Sequence, residues 1–285
     1  MAVELARRLG GEVVSFDSRQ VYRGIEVCSN APTAAELDGV RLHLVGVLEP
    51  AAQVTAASYV EMARRAVSGL APGVVPVFTA GTGMYLKAYL EGLDLGGMGA
   101  VSGLREQLEA DAERDLPALA RRLTALSPDL AAQTDLHNPV RVVRRLELLW
   151  AAALAGEEQR DGAPGGRVDA VKVGLRVAAA EVERAIIARI DRMLAGGWRD
   201  EVEALLRLPD PPSSQVLNSI GVAEMAAHVR GEISEAEMRS MVLLRTRQYA
   251  KRQRTWFRGD REVRWIDAGN KPATDIVATV VEMLR

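Results

Sequence analysis

The feature that most constrains this chain is the alternation, in its first third, of short apolar runs with tracts of helical periodicity. EVVSF at 12–16, RLHLVGVL at 41–48 and VVPVFTA at 74–80 are each long enough for one buried strand, and SYVEMARRAVSGLA at 58–71 sets apolar residues on one helical face. Strands separated by a helix do not close as tight hairpins. Each crosses over and returns parallel, with helices covering the sheet. The pattern therefore predicts an α/β core built on a doubly wound parallel sheet. AVELARRLG, stopped by Gly10 and Gly11, predicts a helix ahead of the first visible strand. Strand-like runs return at VDAVKVGLRV (168–177) and EVRWID (262–267), separated by the helical tracts EVERAIIARIDRMLAGGWRDEVEALLRL and EISEAEMRSMVLLRTRQYAKRQRTWF.

Between Gly96 and about Trp150 the strand signals vanish, and LREQLEADAERDLPALARRLTAL and NPVRVVRRLELLW read as helices with charged faces. The organisation expected is a core of 1–96 and 149–285 with an all-helical insertion at 97–148, and GEEQRDGAPGGR (156–167) as a loop leading back. The 285 residues, 48% hydrophobic and 26% charged, supply enough apolar side chains for such a core and exclude a disordered or collagen-like chain. Lysine and arginine number 36 against 38 acidic residues, so a nucleic-acid surface would have to come from local clustering. The single cysteine, Cys28, excludes an internal disulfide and a cysteine-based zinc site, and suits a reducing cytoplasm. No apolar run reaches the roughly 18 residues of a membrane span and no signal peptide is evident, so a cytoplasmic protein is expected.

Three stretches carry candidate chemistry. Asp17-Ser18-Arg19-Gln20 follow EVVSF, at the carboxyl end of a parallel strand, where open α/β sheets place ligands. A carboxylate there suits a general base, while spacing alone favours Asp17 and Ser18 as the cap of the next short helix. Gly81-Thr82-Gly83 stand between a strand and the helix MYLKAYLEG, a turn whose free N–H groups suit an anion or whose glycines serve geometry alone. From Arg245 to Arg264 come Arg245, Arg247, Lys251, Arg252, Arg254, Arg258, Arg261 and Arg264, interleaved with Tyr249, Trp256 and Phe257. That is either a phosphate-backbone footprint with stacking aromatics or a solvated helix face over the core. Arg141, Arg144 and Arg145 form a second cluster, and Arg189 and Arg192 read as snorkelling surface residues. The scattered His43, His137 and His228 match no zinc spacing, and no Ser-His-Asp elbow is present.

Taken together, DSRQVYRG (17–24), GTGMYLKAYLEGL (81–93), NPVRVVRRLEL (138–148) and RTRQYAKRQRTWFRG (245–259) closely resemble the tRNA dimethylallyltransferases, or tRNA isopentenyltransferases, of the bacterial type. The resemblance extends over almost the whole chain. It implies a P-loop-type fold and transfer of a dimethylallyl group from its diphosphate to the exocyclic amine of adenosine 37, beside the tRNA anticodon. It further implies Asp17 as the general base, Ser18, Arg19 and Gln20 lining the flipped base, and Thr82, Arg105, Val140, Arg141, Val142, Val143 and Arg144 in contact with tRNA. By the same resemblance Arg189 holds the diphosphate, Mg²⁺ shares that task, and the partners are the tRNA anticodon stem-loop and dimethylallyl diphosphate. A monomer without membrane attachment is expected.

The departures are specific. Ala80 replaces the first glycine of the usual G-G-T-G, and NSIGVA (218–223) has Val222 and Ala223 where Tyr and Arg are typical, so an RNA contact is expected to be lost there. The family opens with a strand and a P-loop, G-x-x-x-x-G-K-[ST], whose amides and lysine cradle the diphosphate. AVELARRLGGEVVSFDSRQ matches only what lies downstream, so the first strand and P-loop are expected to be absent from this chain. Met1 stands where leucine is common; a TTG or CTG codon read as an initiator would produce that, with about twenty residues ahead of it including the P-loop. A genuine truncation is the alternative, and would leave an aggregation-prone, nearly inactive chain. Two rival readings accompany the transferase: a tRNA-binding remnant without turnover, and a nucleotide phosphotransferase on the same fold.

Overall fold

The computed structural model describes residues 1–93, 103–155 and 166–284. The chain forms two compact units, Met1–Leu93 with Gly166–Arg285, and Asp94–Gly165. Helix α1 (Ala2–Leu9) ends because Gly10 takes φ 61° and turns its N–H back onto Ala6 and Arg7, a left-handed cap that glycine adopts without steric cost. Strand β1 (Gly11–Phe16) follows, buried from Val13 onward. Then come α2 (Ala34–Leu37), β2 (Leu42–His43), α3 (Ala56–Ser68, entered through a Thr55–Ser58 capping box), β3 (Val75–Ala80) and α4 (Gly83–Glu91). The apolar run at 41–48 yields only a two-residue strand, because Leu44 and Gly46 take positive φ and turn the chain away.

These strands pair in the order β2-β1-β3, all parallel, as the alternation with helices requires. The β1–β3 register is in step from Gly11↔Val75 to Phe16↔Ala80. The next residues out of the two strands, Asp17 and Gly81, therefore leave the sheet as neighbours. Phe16 anchors that end, its ring 5.9 Å from Tyr59, 5.6 Å from Phe78 and 5.3 Å from Tyr89.

The second unit is helical throughout its described residues: α5 (Leu104–Leu126), α6 (Pro128–Ala132) and α7 (Pro139–Ala155). The boundary expected at 148 falls inside α7, which runs on to Ala155. Helix α5 kinks at Asp115, two residues before Pro117, and the Asp115 carboxylate caps the following turn by accepting from Ala118 N–H at 2.9 Å. Leu108, Leu123, Val142 and Leu146 are buried at its centre. The loop expected at 156–167 lies, up to Gly165, outside the described residues.

The first unit resumes with β4 (Val173–Arg176), α8 (Ala179–Ala195), α9 (Trp198–Leu206), α10 (Ser214–Leu217), α11 (Val222–Val229), α12 (Glu235–Arg258), β5 (Arg264–Asp267) and α13 (Ala273–Met283). Gly196 and Gly197, the latter at φ 85°, divide the long tract after 181 into α8 and α9. β4 and β5 pair parallel, and among the described residues they form a two-stranded sheet apart from the first three strands. Both β3 and β4 line one cavity of about 1800 Å³, together with residues of α1, α4, α12 and α13. Among the described residues no helix is long and apolar enough to cross a membrane.

Candidate active site

The site grows out of the β1–β3 register. Asp17 Oδ1 accepts from its own turn, from Arg19 N–H at 2.7 Å and Gln20 N–H at 3.2 Å. The capping role foreseen for Asp17 is thus real, although it closes a turn and no helix. It occupies one carboxylate oxygen. The other faces Gly81, where a Cβ would lie 2.0 Å from Asp17 Oδ2, which is why that turn tolerates only glycine there. Thr82 ties the two turns together: its N–H donates to Phe16 O at 2.8 Å, and its hydroxyl accepts from Ser18 N–H at 3.1 Å and donates to Ser18 Oγ at 3.2 Å. Tyr59 supports the turn from behind, accepting from Asp17 N–H at 3.2 Å and donating to Ser15 O at 2.7 Å. Burial pushes the Tyr59 hydroxyl well above its ordinary value, so it stays protonated and able to donate.

Arg19 and Gln20 have structural partners of their own. Arg19 Nη1 donates to Gln215 O at 2.5 Å, and Gln20 accepts from Ser15 Oγ at 3.0 Å while donating to Asn30 O at 3.2 Å. Gln215 in turn accepts from Tyr22 OH at 2.6 Å and exchanges hydrogen bonds with the Val54 backbone, so α10 backs the turn. Asp17, Gln20, Ala80 and Gly81 share a cavity of about 340 Å³ with Pro32 and Leu42, at the lower end of the size of small-ligand sites. Arg189 sits on α8 within electrostatic range of Asp17. Desolvation, with Arg192 beside it, holds its guanidinium below the ordinary value while the Asp17 charge acts in the opposite direction. It is nonetheless exposed, which leaves it open to an anion.

The cationic tract divides by partner. Arg245 pairs with the buried Glu224 and donates to Asn218 O at 3.1 Å, Arg247 pairs with Glu183 at 3.3 Å, and Arg252 lies 5.8 Å from the Tyr249 ring centroid. Lys251, Arg254, Arg258, Arg261 and Arg264 have no ion-pair partner among the described residues. Trp256, 49% exposed, packs its edge against Gly83, where a Cβ would meet the indole at 2.3 Å. The tract is therefore both of the things the sequence left open: a structural anchor at its start and an exposed cationic face beyond it.

Arg105 and the stretch Val140–Arg144 belong to the helical unit. Val142 and Val143 are buried in its core, so any contact they make with RNA would come through their backbone and not their side chains. Val140, Arg141 and Arg144 are the exposed residues of the stretch. Arg105 and Arg144 converge on the buried Glu147, at 3.8 and 3.4 Å. Among the described residues no group of three His, Cys, Asp or Glu side chains could hold a metal ion, so these residues build no protein cage for Mg²⁺. Sequence reasoning missed Tyr59, Gln215 and Glu224. None stands in a recognisable motif, and each acts across a long separation in sequence.

The fold is α/β, and it sets Asp17 and the Gly81–Thr82 turn side by side at the carboxyl ends of parallel strands, where open α/β sheets place ligands. A helix with unpaired cations lies beside them. The chain belongs to the IPP transferase family, whose profile matches residues 20–260. It is 37% identical to tRNA dimethylallyltransferase 1 of Pelobacter propionicus over 278 residues, 96% of this chain and 90% of that relative. Against the tRNA dimethylallyltransferase of Anaeromyxobacter sp. strain K the identity is 40% over 288 residues, 100% of this chain and 92% of that relative. Among solved structures, the full-length tRNA isopentenylpyrophosphate transferase of Bacillus halodurans is 30% identical with a TM-score of 0.71, covering 99% of this chain and 90% of its own.

Proposed function

We propose that this protein, a tRNA-modifying prenyltransferase, moves a dimethylallyl group from dimethylallyl diphosphate to the exocyclic amine of adenosine 37 in tRNA. The observation that carries the reading is the in-step β1–β3 register, which sets the Asp17 carboxylate against the Gly81–Thr82 turn in a small cavity. Family membership supplies the reaction. The amine attacks the allylic carbon, the bond from that carbon to the diphosphate oxygen breaks with its electron pair leaving on the diphosphate, and Asp17 accepts the amine proton. Arg189 balances the charge that develops on the leaving diphosphate. The purine must leave its stack to reach Asp17, because the turn is held too firmly to move toward the RNA.

The unpaired cations of α12 and its extension, with Arg105, Arg141 and Arg144 of the helical unit, serve as the RNA-facing charges. Mg²⁺, which stabilises a departing diphosphate when bound, would draw its oxygens largely from the diphosphate. A P-loop-type scaffold and a cytoplasmic monomer belong to the same proposal. The remnant reading predicts salt-sensitive tRNA binding without product; the relatives' names favour turnover. Asp17→Asn tests the assignment. We expect prenyl transfer to fall on the order of 10²–10⁴-fold with tRNA binding retained. Near wild-type transfer would leave Asp17 as the cap of its turn and nothing more.

A further inference from the structure

We infer that Tyr249 and Gln253 are positioning residues for Asp17: two uncharged donors from the cationic helix lock the Gly81–Thr82 peptide against which the Asp17 carboxylate rests. The inference depends on the reading of Asp17 as the base. Tyr249 OH donates to Gly81 O at 2.6 Å and Gln253 Nε2 donates to the same oxygen at 2.8 Å, filling both of its lone pairs. The N–H of that same peptide, on Thr82, donates to Phe16 O at 2.8 Å. Held at both ends, the peptide plane cannot rotate without breaking three hydrogen bonds.

What that plane controls is the free side of Asp17. One carboxylate oxygen is fixed by the amides of Arg19 and Gln20, so the orientation of the other depends on its contact with Gly81. A rotated peptide would move Gly81 off Oδ2 and carry Thr82 away from Ser18, loosening both supports of the turn. Tyr249 and Gln253 stand four residues apart, on one face of α12, and reach the turn together. Burial above all, and then the negative charge of Asp17, push the Tyr249 hydroxyl up from its ordinary value, so it remains a donor throughout the neutral range. The helix that presents charge to a polyanion thus also holds the base.

The experiment compares Tyr249→Phe, Gln253→Leu and the double variant, each with Asp17 intact and with Asp17→Asn, reading kcat and KM for tRNA. Each single variant should lower kcat by about threefold to tenfold and the double variant by about thirtyfold or more, the scale of one and two lost hydrogen bonds, with KM for tRNA within about twofold. In the Asp17→Asn background the same substitutions should change the residual rate by less than about twofold, since there is no base left to position. A double variant with unaltered kcat overturns the inference. So does a raised KM at constant kcat, which would make the two residues RNA contacts, and so does an equal loss in the Asp17→Asn background, which would make their role purely structural. Wild-type transfer by Asp17→Asn alone would remove the base reading itself, a failure distinguishable from the others. If the double variant does not fold, Tyr249→Phe, which deletes a single oxygen, is judged by the same criteria.

Discussion

Arg245 opens the cationic tract, and its sequence neighbours suggest a phosphate contact; its surroundings dictate another role. Glu224 is 1% exposed, and its carboxylate accepts from Gly221 N–H at 2.7 Å and from Arg245, whose second nitrogen donates to Asn218 O. Arg245→Ala would leave Glu224 buried with one donor and the Asn218 carbonyl short of its own. Removing one partner of a buried pair costs about 3–5 kcal/mol. Because the Arg245 side chain is 37% exposed, water partly replaces it, and about 2–3 kcal/mol is the appropriate expectation. With a urea slope near 3 kcal/mol per molar, the unfolding midpoint should fall by close to 1 M. Arg254→Ala, with no ion-pair partner among the described residues, should stay within about 0.5 kcal/mol of wild type. Binding of tRNA across a salt series separates the roles: Arg254→Ala should reduce the slope of log affinity against log salt by about one, and Arg245→Ala should leave it unchanged. Wild-type stability with a reduced slope for Arg245→Ala would refute the reasoning.

Two further predictions bear on other parts of the molecule. Val142→Ala should destabilise the helical unit by about 2 kcal/mol, because Val142 is wholly buried, without changing the salt slope of tRNA binding, whereas the exposed Arg141→Ala should do the reverse; urea melts and salt titrations of both variants check it. The β4–β5 sheet should weaken in acid: hydrogen bonds from Lys172 and Arg167 hold the Glu262 carboxyl below its ordinary 4.5, so its stabilisation is complete above that pH and is lost as pH falls through the depressed folded value. Melting temperatures between pH 3 and 6 should decline more steeply for wild type than for Lys172→Met, and parallel curves would contradict the assignment.

Much of this was legible in the sequence because the signals are local. Strand, glycine turn and helix follow one another along β3, Gly81–Gly83 and α4 with the chemistry each needs, and the same holds for β1 and the Asp17 turn. What escaped was set by partners far along the chain. Val142 and Val143 carry apolar side chains in a basic stretch, and only the packing of α5 against α7 reveals them as core. Arg245 is chemically indistinguishable from Arg254 until Glu224, twenty-one positions away, is placed beside it. The eight-residue run at 41–48 reads as strand by composition, yet two positive-φ residues cut it short. The separation of β4–β5 from β2-β1-β3 follows from pairing, which no single run of residues encodes.

The rigidity of the Asp17 turn has a consequence for how binding and chemistry divide the work. The turn is held by the Arg19 and Gln20 amides, by Tyr59, by Thr82 through Ser18, and by α10 through Arg19. A carboxylate fixed in this way loses little freedom on reaching the transition state, which is what makes it effective as a base. It also cannot travel to meet its substrate. The whole displacement then falls on the RNA, and extruding a purine from its stack costs a few kcal/mol. The residues that contribute most to offsetting this cost lie elsewhere, on charges without an acidic partner, and Arg105, Arg141 and Arg144, each paired with a carboxylate of the helical unit, contribute less. Lys251, Arg254, Arg258 and Arg261 meet that requirement, since no acidic side chain among the described residues neutralises them, whereas Arg245 and Arg247 do not. Salt should therefore act on capture of the RNA far more than on the chemical step that follows, because the hydrogen bonds around Asp17 are part-buried and screened less than the exposed cations.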